Sequence, residues 1–405
     1  MSGVLRAQAN QINADFPRHL ALLTIIRVVL NTAHRMAYPF LGVMARAMGV
    51  EVAVLSMAVS SRAFVGLLAP FISPLSDTYG RKTGLISGLA LFILASLLLV
   101  FSPGVVTFWL CLLLGVLGKY LYDPSVMAYI GDRVAYSQRG KYISINETGW
   151  SLAFIVGMPL TAWGISRFGW VSPYIAFAIL GVAGVIGIIF LLPATPPHPE
   201  APRFHLSNLL TTGKDIRLVA ALSIGLWTTA GNEIVNMVFG VWLEDAFQVK
   251  LTALAAASAI IGLSELGGEG LVATFTDKLG KRKALMIGIL SSILAAIALP
   301  LLATTQTGAL AGLFFFYIAF EFVMVSHLPL MSEVLPSARA TAMSMNILGF
   351  SIGRGVGAFL SQPVYQQFGF AAVTGISIVF NLIGLASLVI FSRIQRNGRL
   401  PAKVS

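Results

Sequence analysis

Cysteine occurs once in these 405 residues, at Cys111, so the chain can form neither an intramolecular disulfide nor a cysteine cluster for a metal. Histidine is almost as scarce: His19, His34, His198, His205 and His327 show no ligand-like spacing along one helix. No nucleotide-binding glycine loop and no nucleophile motif is present, so neither a cofactor nor an enzymatic activity is expected. Charge is the third shortage. Only 11% of residues are charged, where soluble domains carry roughly a quarter. The first 18 residues are polar and lack the apolar core of a signal peptide.

What fills the chain instead is apolar: 57% of residues are hydrophobic and the mean hydropathy is +0.85. A spanning helix needs about 20 mostly apolar residues. Cutting at the apolar runs predicts spans at about 19–43, 52–76, 83–102, 106–131, 143–165 and 172–193, then 217–243, 251–274, 284–303, 308–332, 341–364 and 371–392. The expected fold is therefore an all-α polytopic membrane protein of twelve transmembrane helices. Two six-helix bundles, 19–193 and 217–392, would be joined by a proline-rich linker at 194–216 and flanked by tails at 1–18 and 393–405.

The net charge of +11 is read from where the cations lie. With the N-terminus in the cytoplasm, one side gathers Arg81, Lys82, Arg133, Arg139, Lys141, Lys281, Arg282, Lys283, Arg339 and most of the others. The opposite side has Arg46, Arg167 and Lys250. That is the positive-inside asymmetry, not a nucleic-acid footprint. It puts both termini in the cytoplasm, with a prokaryotic inner membrane as the expected location.

Ionisable residues inside the spans are selective. Spans 1, 2, 4 and 5 carry Arg27, His34, Arg35, Arg62, Lys119, Asp123 and Glu147. Spans 7, 8, 10 and 11 carry Glu233, Glu265, Glu269, Glu321, His327 and Arg354. Spans 3, 6, 9 and 12 carry none. A charge facing lipid costs about 2.5 kcal/mol or more, so these residues mark faces turned to protein or water. Either the opposite signs pair and hold the protein together, or they bind a solute and carry protons. Glu265 and Glu269, one turn apart on one face, would lose their protons in coupled steps. They lead the proton-coupling candidates, followed by Glu233, Asp123 and Glu321. The solute cavity is expected to take Arg27, Arg35, Tyr38, Lys119, Tyr122, Trp227, Asn232 and Asn236.

One short phrase is written twice. Asp77-Thr78-Tyr79-Gly80-Arg81-Lys82 returns as Asp277-Lys278-Leu279-Gly280-Lys281-Arg282, and the offset of 200 persists through Arg139 and Arg339, Asn146 and Asn346, and Phe168-Gly169 and Phe368-Gly369. A constant offset indicates a duplicated half, a common plan among secondary transporters. The Asp-x-x-Gly-Arg-Lys loop between spans 2 and 3, repeated between spans 8 and 9, resembles the signature of the major facilitator superfamily. The resemblance covers the whole chain. It implies a transporter working by alternating access, with a cytoplasmic gate at Asp77, Gly80, Arg81, Arg139, Asp277, Gly280, Lys281 and Arg339. The drug-antiporter signature of span 5 is only partly kept, as Gly157-Met158-Pro159-Leu160-Thr161-Ala162. The expected activity is proton-coupled efflux of a small organic solute by a monomer in the lipid bilayer. A proton-coupled nutrient symporter for a sugar or organic acid, and a lipid or glycolipid flippase, are the alternatives.

Overall fold

The computed structural model describes residues 15–68, 72, 79–135, 138–193, 215–334 and 339–397. Among them the elements are helical. In chain order they are α1 Phe16–Arg35, α2 Ala37–Met48, α3 Val52–Gly66, α4 Arg81–Phe101, α5 Val105–Arg133, α6 Arg139–Leu152, a π-turn Ala153–Gly157 and α7 Met158–Phe168. Then follow α8 Ser172–Leu191, α9 Ile216–Asn236, α10 Phe239–Phe247, α11 Leu251–Leu279, α12 Lys281–Leu302, α13 Gln306–Val334 and α14 Arg339–Asn397. The predicted linker and both tails fall largely outside the described residues, as do Asp77 and the rest of the first loop before Tyr79.

Among the described residues, nine helical stretches are long and apolar enough to cross a membrane, ten when α1 and α2 count as one bent span. Dividing α14 at its non-helical Gly369 and adding the short apolar α3 accounts for the expected twelve. The chain is an integral membrane protein. Large apolar side chains such as Phe101, Phe190 and Leu301 stand more than 70% exposed, the surface a lipid environment accepts.

The chain divides into two compact units. One comprises Met1–Ala37, Val43–Val50 and Leu68–Arg203; the other comprises Tyr38–Gly42, Glu51–Leu67 and Phe204–Ser405. In the first, α4 packs on α5 and α8, and α1 packs on α5 and α6. In the second, α9 packs on α14, α12 and α11 pack on α13, and α3 packs on α14. Its apolar core includes Leu218, Ile224, Leu285, Ile289, Val323 and Leu388.

The duplication is written into the backbone. Among the described residues, those with positive φ fall into pairs: Gly80 and Gly280 (φ 92° and 81°), Gly169 and Gly369 (84° and 75°), and Gly49 and Gln248 (67° and 50°). The first two pairs are 200 residues apart and the third 199. Side chains with a Cβ avoid this region. Gly80 and Gly280 each turn the chain into the first residue of the next helix.

Breaks recur too. The first span of each half is interrupted, between α1 and α2 by a 52° bend at Met36 and between α9 and α10 at Met237–Val238. At the first break Pro39 has no N–H for the carbonyl of Arg35, which ends the ladder there. No proline marks the second. Likewise Pro159 leaves Ile155 without its helical donor, and the chain widens into the π-turn just before it. Gly240 on α10 lies so close to the backbone of Tyr38 and Pro39 that a Cβ there would fall 2.7 Å from both carbonyl oxygens.

Candidate functional site

Two buried polar clusters stand out, one in each unit. In the first unit, Arg27 on α1 is 6% exposed. Its Nη2 donates to Glu147 Oε2 on α6 at 2.7 Å, and its Nε lies 4.0 Å from Asp123 Oδ1 on α5. Lys119 Nζ, one turn before Asp123, donates to Asp123 Oδ2 at 2.5 Å and to Asn31 Oδ1 at 2.6 Å. Asn31 in turn donates from Nδ2 to the Gly149 carbonyl at 3.1 Å. Two cations therefore face two carboxylates, and an amide ties the array to the backbone of α6. The balance offsets part of the cost of burying Arg27 and partly burying Lys119 and Asp123, while Glu147 keeps contact with its surroundings. Arg27 Nε and Nη1 and Asp123 Oδ1 still have no hydrogen-bond partner among the described residues.

The second cluster is built where the two broken spans meet. Tyr38, at the start of α2, donates its hydroxyl to Glu233 Oε1 on α9 at 2.8 Å. Asn236 Nδ2 donates to Glu233 Oε2 at 3.3 Å, and Tyr317 of α13 donates to Asn236 Oδ1 at 2.7 Å. Glu233 is 5% exposed. Its partners are neutral donors. Arg62 on α3 places its guanidinium 5.2 Å from the centre of the Tyr38 ring. Asn232 next to Glu233 is buried, with its Nδ2 lacking a partner among the described residues.

Other predicted site residues take different places. Arg35 lies over the rings of Phe154 (3.4 Å) and Trp150 (4.3 Å) and donates to the Trp150 carbonyl at 3.0 Å. Tyr122 is fully buried and donates to the Leu23 carbonyl at 2.9 Å, tying α5 to α1. Trp227 packs against Phe380, with ring centres 5.3 Å apart. Glu265 is buried and Glu269 half-buried on α11. Glu321 of α13 lies against Gly268 on the same stretch of α11, and all three glutamates have polar interactions of their own.

At the loop ends, Arg81 Nε donates to Asp132 Oδ2 at 3.1 Å, and Lys82 Nζ donates to the carbonyls of Ile189 and Leu192, closing the C-terminus of α8. In the second copy Lys281 pairs with Glu333, and Arg282 donates to Gln395. Arg139 at the start of α6 donates to the Val134 carbonyl at 3.2 Å. Asp77 and the side chains of Asp277 and Arg339 lie outside the described residues.

Asn31, Glu147 and Tyr317 are the members of these clusters that the predicted site omits. Glu147 was visible as the one carboxylate of span 5. Asn31 and Tyr317 are neutral, and nothing in the sequence separates them from other polar residues of the spans.

The sequence pattern of the Major Facilitator Superfamily matches residues 23–334 and, in a second overlapping placement, 222–404. The chain belongs to the Major Facilitator Superfamily. It is a membrane transporter of that superfamily. It is 28% identical over 400 residues to the uncharacterised MFS-type transporter YwfA of Bacillus subtilis (strain 168), covering 96% of this chain and 95% of the relative. It is 24% identical over 334 residues to the chromaffin granule amine transporter of Rattus norvegicus, covering 79% and 63%.

Solved structures with the superfamily fold align over nearly the whole chain. A bacterial homologue of the human lysosomal transporter Spinster, inward-facing and unoccupied, gives a TM-score of 0.73 at 15% identity, covering 96% of this chain and 99% of that one. A POT family transporter in complex with 5-aminolevulinic acid gives 0.77 at 13% identity, covering 97% and 99%. At these identities the likeness concerns the superfamily fold.

Proposed function

We propose that this transporter moves a small organic solute by alternating access in exchange for protons, with Glu233 as the group that proton and solute contest. The observation that carries the reading is how Glu233 is held. A buried carboxylate gripped by a phenol and an amide can take up a proton without breaking an ion pair. A proton there and a solute that presents a cationic or hydrogen-donating group exclude one another. Mutual exclusion at one carboxylate is the elementary requirement of exchange. Asp123 and Glu147 are each tied to a cation, so protonating either leaves a buried positive charge unmatched. Their cluster instead fixes the first unit and offers the unmet atoms of Arg27 and Asp123 to water or to a polar part of the solute. The similarity to a transporter named for amines points the same way.

The reading includes a monomer in a prokaryotic inner membrane with both termini cytoplasmic, supported by the distribution of cations. Arg81 with Asp132, and Lys281 with Glu333, would belong to its cytoplasmic gate.

The test is reconstitution in liposomes enclosing a pH-sensitive dye, with a mixed set of amines, acids and sugars added. Protons leaving the compartment that a solute enters, and loss of that flux in Glu233→Gln, support the reading. Loss in Glu265→Gln or Glu269→Gln with Glu233→Gln intact moves the coupling to α11. Protons and solute entering together give a symporter. Transfer of labelled lipid between leaflets without proton movement gives a flippase.

A further inference from the structure

The second copy of the loop motif differs from the first in its charge. Gly280 ends α11 and opens α12, whose first three residues are Lys281, Arg282 and Lys283. That is the positive end of the helix dipole, where acidic residues are the stabilising choice and the first N–H groups have no helical acceptor. Three cations in that turn repel both the dipole and one another. In the first copy the corresponding turn has only two, Arg81 and Lys82, followed by Thr83. There Asp132 meets one and the end of α8 meets the other. In the second copy Lys281 meets Glu333 and Arg282 meets Gln395, but Lys283 stands exposed with no carboxylate contact among the described residues.

The three cations border a pocket of about 430 Å³, in the size range of small-ligand sites. Its apolar wall comes from Leu279, Leu330, Val334 and Phe391, and the Arg282 guanidinium lies 5.9 Å from the Phe391 ring centre. Among the described residues Glu333 is the one carboxylate of the lining, so their summed charge is +2. An anionic rim over an apolar wall would suit a cationic amphiphile. This rim has the opposite sign, at the end of spanning helices, where lipid headgroups lie.

We propose that this pocket holds the phosphodiester headgroup of an anionic membrane lipid. The phosphate sits among Lys283, Arg282 and the open N–H groups of α12, and the glycerol end rests on the apolar wall. Basic pockets between transmembrane helices at the membrane surface take such headgroups. The positive-inside bias explains a cation on this side of the membrane; it does not explain a cavity beneath three of them.

The test uses the full chain in phosphatidylcholine nanodiscs containing phosphatidylglycerol, with bound lipid counted by native mass spectrometry after mild extraction. Wild type retains a phosphatidylglycerol. Lys283→Gln lowers that retention about fivefold, and Lys283→Arg restores it. Lys278→Gln, an exposed lysine one turn earlier and outside the pocket, leaves it unchanged. Equal loss in Lys278→Gln, or none in Lys283→Gln, overturns the proposal. Inorganic phosphate added before extraction should not displace the lipid; displacement reassigns the pocket to a soluble phosphate and overturns the lipid assignment.

Discussion

The two halves of this chain share a backbone plan and differ in polar chemistry. The first matches a buried Arg27 and a partly buried Lys119 and Asp123 with a half-exposed Glu147. The second buries Glu233 among a phenol and an amide. Meanwhile the left-handed turns, and the interruption of each half's first span, recur at the same places. Duplication has preserved the devices that shape the chain and let the charges diverge. Removing one member of the matched set leaves another without its partner, whereas Glu233 is held by hydrogen bonds from uncharged groups.

The largest expected effect tests the matched set. Asp123→Ala leaves Lys119 without its carboxylate and Arg27 with Glu147 alone, and should cost about 3–5 kcal/mol, read as a drop in melting temperature in detergent. Lys119→Met with Asp123→Leu should recover most of that stability without recovering transport. A melting temperature for Asp123→Ala equal to wild type would erase the contrast between the halves.

The shared backbone comes next. Gly80→Ala and Gly280→Ala each force a Cβ into the left-handed region and should cost similar amounts, about 1–2 kcal/mol. A large difference between them would show that the two turns are not equivalent. Glu233→Gln keeps an acceptor for Tyr38 and should cost only about 1 kcal/mol while abolishing proton-coupled flux in liposomes. That split between folding and flux separates it from Asp123. Gln248→Gly places glycine where the other copy already has Gly49, and should stabilise by under about 1 kcal/mol.

The smallest effect concerns the helix starts. Asp15 and Asp215 occupy the N-cap positions of α1 and α9. Asp215 accepts from the N–H of Arg217, whereas Asp15 faces Pro17, which has none to give. The hydrogen-bonded Arg217 guanidinium holds the Asp215 carboxyl below its ordinary range. A depressed carboxyl stabilises the fold above its unfolded value of about 4 and loses that contribution as pH falls through the folded value. Wild type should therefore lose a few tenths of a kcal/mol on acidification that Asp215→Asn does not lose.

The sequence disclosed the fold readily because a run of apolar residues has few other uses, and a repeated loop fixes the offset between halves. It also disclosed Arg27, Lys119, Asp123 and Glu233, since a charge in such a run is too costly to be idle. Their partners were harder to see. Asn31 meets Lys119 across 88 residues and Tyr317 meets Asn236 across 81, and neutral side chains leave no trace of cost in an apolar span. The apolar pattern reads straight through 19–43, and the break at Met36 is explained by Pro39, because a missing N–H is a local matter. The break at Met237 carries no such mark, and Gly240 explains itself only once Pro39 is seen against it.

Cys111, the only thiol, is 8% exposed on α5. The native chain is thus close to silent toward maleimide reagents. A cysteine put at an exposed site such as Trp163 or Phe190 would carry a spin label or dye against almost no background. A pair so placed would give a distance distribution with no need first to remove native sulfur.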